Sequence, residues 1–452
     1  MRFLLLIAVI CLSVPLSAQE PLGAQESSSS AQTEQAIPAA SPGSKRILHS
    51  ETDDAGKAEA AIVKDDWKTA EPLLDAWLAA HPDDASALFD AGYVADAQGR
   101  NDDAIALYQK ALKADEKSFE AEISLGLLLA RLGRASEAQP ILEKATAMDA
   151  DPAEPKTKAK AWRALAQIEM GKPDGPIDTA KASADLLEAL KLTPETPADT
   201  LLAARIADVE GETAAAEAAY RLLLKDDPDS SVAVAGLAHI EIAAKKYPEA
   251  EELLQTALKK APDDPALTAQ LAAVLVAEDK ADALTLLQEF HQKHSQEAAI
   301  TRMLAQVEAD AGDYAESDQL YLGLLPANPK DAELLVGHGQ NLIRLRRYPD
   351  ALKAFESATQ IDEANGEAWN GLAFAAFETH QPSITLHALT VRSKYLPESA
   401  TIYFLWATAY DTLHDKKQAS AYYRRFLESA AGKFPDQEWQ ARQRLTLLEK
   451  SP

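Results

Sequence analysis

The sequence predicts an all-α solenoid of about eleven stacked helix pairs, and three observations lead to this fold class. A small residue recurs along the chain, mostly every 34 residues, with a Leu or an aromatic residue four positions after it. Each interval holds two stretches whose apolar residues recur at helical spacing. The 452 residues are 47% hydrophobic but only 6% aromatic, so Ala and Leu dominate, and Ala favours helix because it loses no side-chain entropy there.

The recurring small residue anchors eleven units. The anchors are Ala70, Ala104, Ala138, Ala182, Ala216, Ala250, Ala283, Ser317, Ala351, Thr385 and Ala419. Successive anchors are 34 residues apart, except for one interval of 44 and one of 33. Self-similarity at such a period is the signature of a repeat array. We therefore predict repeats 1–3 over residues 51–150, an insertion or joint at 151–158, and repeats 4–11 over 159–433.

The unit at residues 231–264 shows why each repeat forms two helices. Val234 and Leu237 lie at helical spacing in its first half, and Pro248 stands at the start of the second apolar stretch. Pro262 ends that stretch because proline cannot continue a helix, and the Asp residues after it can cap the next helix. In four other units a glycine marks the turn between the paired helices, at Gly99, Gly133, Gly211 and Gly312.

This pattern resembles the tetratricopeptide repeat family. The family's first helix carries an aromatic residue, then Leu and a small residue, and the segment from Trp369 to Ala373 matches it. Gly126 and Gly371 occupy the small-residue position that lets two helices approach closely. The resemblance covers residues 51–433 and implies a right-handed superhelical solenoid with a concave groove lined by the first helices. It also implies that the protein binds other proteins and needs no cofactor or metal.

Three residues depart from the family pattern, and a last helix follows the repeats. Thr385 and Arg392 stand in the tenth unit, and Trp77 in the first, at positions that are normally small or apolar; we expect both units to be distorted. Residues 434–452 are predicted to form a capping helix, since a solenoid must cover its last open face. Trp439, Leu445 and Leu448 are expected on its packing side.

The first fifty residues predict export. Arg2 precedes an apolar run that ends in small residues at Ala18, which is typical of a cleaved signal peptide over residues 1–18. Residues 19–50 are rich in Ser, Gln and Pro and lack hydrophobic periodicity, so we predict a disordered tether. Removal of the signal would also remove Cys11, the single cysteine. The mature chain is expected to be periplasmic or secreted, with no transmembrane span.

Charge and motifs exclude several classes of function. The formal net charge of −26 would repel a phosphate backbone, so nucleic acid is not an expected partner. The chain has no His-Glu-x-x-His motif, glycine-rich phosphate loop or Gly-x-Ser-x-Gly motif. His291 and His294 are interpreted as a solvated pair rather than metal ligands. We therefore expect a scaffold rather than an enzyme.

The resemblance also implies which side chains face a partner. In the late units these are Arg302, Gln306, Gln340, Arg344, Asn370, Phe374, Phe377, Phe404 and Thr408, and in the early units Phe89, Tyr93, Arg163, Gln167 and Arg205. The late mixture of Arg, amide and aromatic residues is typical of a binding hot spot. An alternative function is polysaccharide binding or assembly, in which Tyr93, Phe374 and Phe404 would stack on sugar rings.

Overall fold

The computed structural model describes residues 49–148, 155–171 and 176–450, and over these ranges it contains 23 α-helices and no strand. The predicted signal peptide at 1–18, residues 19–48 of the predicted tether and residues 151–154 of the predicted insertion lie outside the described residues. Across those same described ranges, none of the helices combines the length and the apolar character that crossing a membrane requires.

The helices form eleven consecutive pairs followed by a last helix, which confirms the predicted all-α solenoid of helix pairs. In chain order they are α1 (Asp54–Ile62), α2 (Trp67–Ala80), α3 (Ala85–Ala97), α4 (Asn101–Ala114), α5 (Phe119–Arg131), α6 (Ala135–Ala147), α7 (Pro155–Met170), α8 (Thr179–Leu192), α9 (Pro197–Val209), α10 (Thr213–Asp226), α11 (Ser231–Ala243), α12 (Tyr247–Leu258), α13 (Pro265–Ala277), α14 (Asp282–Lys293), α15 (Ala298–Ala311), α16 (Tyr314–Leu324), α17 (Ala332–Arg344), α18 (Tyr348–Ile361), α19 (Gly366–Glu378), α20 (Pro382–Arg392), α21 (Ala400–Thr412), α22 (Lys416–Ala430) and α23 (Pro435–Lys450). The odd-numbered helices up to α21 are the first helices of their pairs, and the even-numbered ones are the second helices.

Two compact units divide the chain within α12, one ending at Leu253 and the other beginning at Leu254. In the N-terminal unit a single core cluster includes Leu128, Leu142 and Leu165, so α5, α6 and α7 pack together across the predicted joint at 151–158. Residues 155–158 of that joint are the first turn of α7.

Short polar caps begin most first helices at the repeat interval. Side chains that accept hydrogen bonds from the first backbone N–H groups of the helix are those of Asp84, Ser118, Thr196, Ser230, Asp264, Asp331, Asn365 and Ser399. Each cap satisfies N–H groups that lack a partner within the helix, which fixes where the helix begins.

A left-handed residue makes the turn inside most pairs. Gly99, Gly133, Gly211 and Gly312 have φ values of 74°, 73°, 78° and 100°, which confirms the glycine turns predicted from the sequence. In other pairs Lys245, Asp279, Arg346, His380 and His414 adopt positive φ. A left-handed residue with a side chain costs roughly 1–2 kcal/mol, so the stacking of the helices, and not local preference, fixes these turns.

Glycines also set how closely successive helices approach. A Cβ atom built on Gly126 would lie 2.6 Å from Cδ2 of Leu142 in the same pair. A Cβ atom on Gly371 of α19 would overlap the ring of Phe355, which belongs to the second helix of the preceding pair. Both small residues are therefore required by packing, as the sequence pattern predicts.

The expected distortion of the first and tenth units is wrong, because the unusual side chains have partners. Trp77 donates its indole N–H to the Asp84 carboxylate at 2.9 Å. Buried Arg392 donates to Asn370 Oδ1 at 2.8 Å and to the Pro397 carbonyl at 2.9 Å. The Thr385 hydroxyl donates to the helix carbonyl of Gln381. Polar side chains are thus accommodated inside regular helices.

The N-terminal end of the described chain is held against the first two pairs. The His49 imidazole lies 2.8 Å from Glu59 and 2.7 Å from Asp84. Burial opposes its charged form, but these bonds outweigh that effect and raise the pKa of His49 above its ordinary value. Residue 49, which the sequence assigns to the tether, is therefore part of the folded array.

The capping helix α23 packs with one face only. Ala441 is fully buried, and Leu445 and Leu448 pack into the core cluster of the last pair. Arg444 donates two hydrogen bonds, of 2.7 and 2.6 Å, to the Asp411 carboxylate on α21. The expectation that Trp439 lies on this packing side is wrong, since its side chain is 64% exposed.

Candidate partner-binding surface

The nine late residues singled out from the sequence lie on four first helices of the C-terminal unit. Their distribution follows the repeat: Arg302 and Gln306 are on α15, Gln340 and Arg344 on α17, Asn370, Phe374 and Phe377 on α19, and Phe404 and Thr408 on α21. We call these nine residues the first-helix surface. Their contacts separate those that hold the repeats together from those that present a group to solvent.

Arg302 and Gln306 are engaged within the protein. Arg302 forms an ion pair with Asp331, the residue that caps α17 of the next pair. The Gln306 side-chain carbonyl accepts a hydrogen bond of 3.4 Å from the Tyr321 hydroxyl. Arg302 therefore joins two adjacent first helices in addition to any contact with a partner.

The N-terminal unit contains the same kind of bridge between first helices. Arg163 on α7 donates to both carboxylate oxygens of Asp199 on α9, at 2.7 and 2.8 Å. Asp199 is only 2% exposed; burial opposes its ionisation, but the bonds from Arg163 and Thr196 keep the pKa of Asp199 below its ordinary value. Arg163, expected to face a partner, is thus primarily a structural residue.

Arg344 and Phe374 present themselves beside two tyrosines. Arg344 is exposed, and its guanidinium lies over the Tyr314 ring at 6.0 Å, as in a cation–π contact. Phe374 is half-buried, with its ring edge-on to Tyr348 at 6.3 Å and 67°. Gln340, on the same helix as Arg344, is exposed. Together these side chains form a patch of one cation, one amide and three aromatic rings.

The sequence analysis missed the two tyrosines. Tyr314 and Tyr348 are the first residues of α16 and α18, and each stands three positions before its anchor, Ser317 or Ala351. This recurrence is visible in the sequence and could have identified them. What the sequence does not show is that the first residue of a second helix reaches the neighbouring first helix.

The remaining members of the first-helix surface make contacts inside the array. Phe377 packs against a core cluster, and the Phe404 ring lies 5.1 Å from that of Phe426. Asn370 accepts the hydrogen bond from Arg392 described above, and the Thr408 hydroxyl donates to the Phe404 carbonyl at 2.9 Å. These four side chains are half-buried and offer a partner only part of their surface.

In the early units, one expected partner-facing residue belongs to the core instead. Phe89 is 5% exposed and packs against Tyr108 at 5.8 Å, so the expectation that it faces a partner is wrong. Tyr93 is half-buried and lies edge-on to Trp67 at 6.0 Å. Trp67 is the first residue of α2 and three positions before Ala70, so the Trp67–Tyr93 contact repeats the geometry of Tyr348–Phe374.

The two histidines interpreted as a solvated pair are each bonded to a different residue. His291 Nδ1 lies 2.9 Å from the Thr301 hydroxyl, and His294 Nε2 lies 2.9 Å from Asp263. Over residues 49–148, 155–171 and 176–450, no group of three His, Cys, Asp or Glu side chains is arranged to hold a metal ion.

Comparison with known families and proteins bears on the whole array. Two profiles described as tetratricopeptide repeat match the chain, one over residues 97–168 and 210–275 and the other over 56–119, 272–332 and 336–380. Between them they cover more than half of the sequence. They include the segments that hold Gln340, Arg344 and Phe374.

Similar proteins include two named for cellulose synthase operons. Cellulose synthase 1 operon protein C of Komagataeibacter xylinus is 28% identical over 291 residues, which are 58% of this chain and 21% of that protein. Cellulose synthase operon protein C of Xanthomonas axonopodis pv. citri is 30% identical over 146 residues, 32% of this chain and 10% of that protein. The matched region thus spans about a fifth of the first relative.

Among solved structures, yeast Tom70 aligns with a TM-score of 0.46 and 14% identity over 80% of this chain and 89% of that one. The family assignment depends on the repeat profiles and on the eleven helix pairs. This chain belongs to the tetratricopeptide repeat family.

Proposed function

We propose that this protein is a non-catalytic scaffold that binds segments of partner proteins on the first-helix surface of its C-terminal unit. The observation that carries the proposal is the patch of Gln340, Arg344 and Phe374 beside Tyr314 and Tyr348. Aromatic and Arg side chains are the residue types that dominate binding hot spots. An exposed guanidinium over an aromatic ring can bind a carboxylate, while the rings offer apolar contact to a neighbouring side chain.

The partner's chemistry follows from this patch. The complementary segment would carry an acidic or amide group opposite Arg344 and an apolar side chain opposite Phe374. Tetratricopeptide repeats generally bind protein partners, and the array here offers a row of first helices on which an extended segment or a helix can lie. The scaffold role requires no cofactor, metal or catalytic residue.

The first test is a double substitution within the patch. Phe374→Ala with Arg344→Ala should weaken partner capture from envelope extract more than tenfold, which corresponds to about 1.4 kcal/mol. A matched control is Leu187→Ala with Arg221→Ala on α8 and α10, which removes an exposed Leu and an exposed Arg from the other unit. Equal capture by a folded patch variant and by the control would rule out this surface.

The fold of the double variant must be checked because Phe374 contacts Tyr348. An aromatic pair contributes roughly 0.5–1.5 kcal/mol, so melting followed by circular dichroism should show only a small shift. Capture lost from an unfolded variant would not count, and Arg344→Ala alone then becomes the decisive variant, since its side chain is exposed.

A second candidate function is an accessory role in assembling an exported polysaccharide. The printed names of the similar proteins, which refer to cellulose synthase operons, support it. In this case Gln340 would bond sugar hydroxyls and the Phe374 and Tyr348 rings would contact sugar faces. Titration with a soluble cello-oligosaccharide, and pull-downs from extracts with and without polysaccharide, separate this role from protein binding. Saturable sugar binding lost in Phe374→Ala would favour the second candidate.

Export to the periplasm or the medium is part of the proposal. It is supported by Arg2, the apolar run up to Ala18 and the absence of any cysteine beyond Cys11 in the sequence. N-terminal sequencing of the protein from its native host should give a first residue near Gln19 or Gln25. A protein that retains Met1 and fractionates with the cytosol would contradict export.

A further inference from the structure

The last helix, α23, exposes an apolar stripe opposite its packing face. Trp439 is 64% exposed and Leu447 is 56% exposed, among the highest values for large hydrophobic side chains in the described chain. Gln440, Gln443 and Thr446 are exposed on the same side. These five residues, which we call the outer stripe of α23, fall on one face of a helix because they recur at three- and four-residue spacing.

Comparison with the preceding first helices shows what this face usually does. Trp369 stands two residues before Gly371, which packs against the preceding second helix, and Trp439 likewise stands two residues before the fully buried Ala441. The Trp369 ring packs edge-on against His387, on the second helix of its own pair, at 5.5 Å. The outer stripe therefore corresponds to the face that a second helix covers in the repeats.

The outer stripe is complementary to itself under two-fold symmetry. Trp439 and Leu447 stand four residues on either side of Gln443, so an antiparallel copy of α23 centred on Gln443 places the Trp of one chain against the Leu of the other. Paired helices of this array also run antiparallel, as helices joined by short turns do. A second α23 can thus take the position of a missing second helix with the usual direction.

Charges do not oppose this arrangement at the stripe itself. Its polar members, Gln440, Gln443 and Thr446, are uncharged. The nearest cations are bonded within their own chain, Arg442 to Glu438 at 3.3 Å and Arg444 to Asp411. Like groups meeting at the symmetry axis are therefore amides, which can both donate and accept hydrogen bonds.

We propose that the outer stripe of α23 joins two copies of this chain in an antiparallel, two-fold symmetric dimer. Such an interface uses the same patch on both copies and closes on itself. Trp439 and Leu447 are separated by about 12 Å along the helix at 1.5 Å per residue. Because this contact is small, the dimer belongs to the weak class of complexes that bury less than about 1,200 Å².

Sedimentation of the full chain tests the proposal directly. Between roughly 1 and 500 μM, a range suited to a weak interface, the mass should rise from monomer towards dimer. Added salt should strengthen the dimer because each copy carries a net charge of −26. Trp439→Ser with Leu447→Ser should remain a monomer, while Leu187→Ser, which alters an equally exposed leucine on α8, should behave like the parent. A parent that stays monomeric, or a double variant that still dimerises, would overturn the proposal.

A cross-link places the symmetry axis. In a chain carrying Cys11→Ser, the substitution Gln443→Cys should give a disulfide-linked dimer on mild oxidation, since residues at the axis approach within the roughly 7 Å between Cα atoms that a disulfide allows. Gln418→Cys, at an exposed position on α22, is the matched control and should stay largely unlinked. Equal cross-linking of both variants would contradict the arrangement.

Discussion

At the scale of single residues, a ring facing a glycine sets the spacing between successive pairs. Phe355 faces Gly371, and in the same way Tyr220 faces Gly236 and Tyr321 faces Gly337. Each glycine stands sixteen residues after its ring. The ring fills the volume that a side chain at the glycine would occupy, so the two positions are a matched set.

The first prediction uses this arrangement. Gly371→Ala should lower the free energy of unfolding by roughly 1–3 kcal/mol, because the added methyl overlaps Phe355 in a core that cannot expand. Gly323→Ala is the control, since Gly323 lies in α16 with no atom within 4 Å of its added Cβ. That change should raise stability by up to about 1 kcal/mol. Denaturant melts of the two variants compare them, and an equal effect would refute the packing role of Gly371.

A second residue-scale prediction concerns a buried carboxylate. Asp185 on α8 is 5% exposed, and burial raises the pKa of its carboxyl to about 6, with Glu169 and Glu143 adding to the effect of burial and Lys181 opposing it. A raised pKa means that the stabilisation is complete below the ordinary value of about 3.9 and is lost as the pH rises through about 6.

Asp185→Asn should therefore stabilise the protein at pH 7.5, by up to about 2 kcal/mol, and have little effect at pH 4. Thermal melts of the variant and the parent at both values test this. Glu188→Gln on the same helix is the control, because Glu188 is exposed and its bond to Lys191 lies at the surface. A stabilisation of Asp185→Asn that is independent of pH would contradict the role of ionisation.

At the scale of helices, arginine–aspartate bridges join adjacent first helices. Asp96 with Arg131, Arg163 with Asp199, and Arg302 with Asp331 link neighbouring first helices. The sequence pattern identified Arg163 and Arg302 as facing outwards from first helices. It could not show that an Asp on the next repeat, 36 or 29 residues later, would bind them, because that contact depends on how two repeats stack.

The third prediction separates a bridging arginine from an exposed one. Arg163→Ala leaves the carboxylate of Asp199 buried without its main cation, and should cost about 2–4 kcal/mol of unfolding free energy. Arg344→Ala removes only a ring contact at the surface and should cost less than about 1 kcal/mol. Denaturant midpoints of the two variants give the comparison. Similar losses would mean that Arg163 is not a structural residue.

The helices themselves were predictable because each carries its own signals. The 34-residue spacing, the glycine turns and the apolar stripes gave eleven pairs, and the profile matches agree with them. The candidate surface was less predictable. Phe89 and Trp439 have the composition expected of outward-facing and packing residues respectively, yet Phe89 is buried and Trp439 exposed, because a rotation of one helix by a fraction of a turn exchanges these faces.

At the scale of the whole molecule, the chain divides inside α12 and not at the insertion near residue 151. Stability in a repeat array is close to a sum over neighbouring units, so pairs 7–11 with α23 should fold alone. The fourth prediction is that a fragment of residues 263–452 is helical by circular dichroism and melts cooperatively. A fragment that begins at residue 271, within α13, should melt at a lower temperature, because half of that helix and its Asp264 cap are missing. An unfolded 263–452 fragment would refute the independence of this unit.

The packing of each helix against its neighbours also decides what different spectroscopic probes will see. The six tryptophans are Trp67, Trp77, Trp162, Trp369, Trp406 and Trp439, so none lies between residues 163 and 368. Tryptophan fluorescence therefore reports the two ends of the array, while circular dichroism averages over all helices. If the terminal pairs fray before the middle ones, as nearest-neighbour coupling allows, the fluorescence transition will precede the dichroism transition, and a single denaturation curve will not describe this protein.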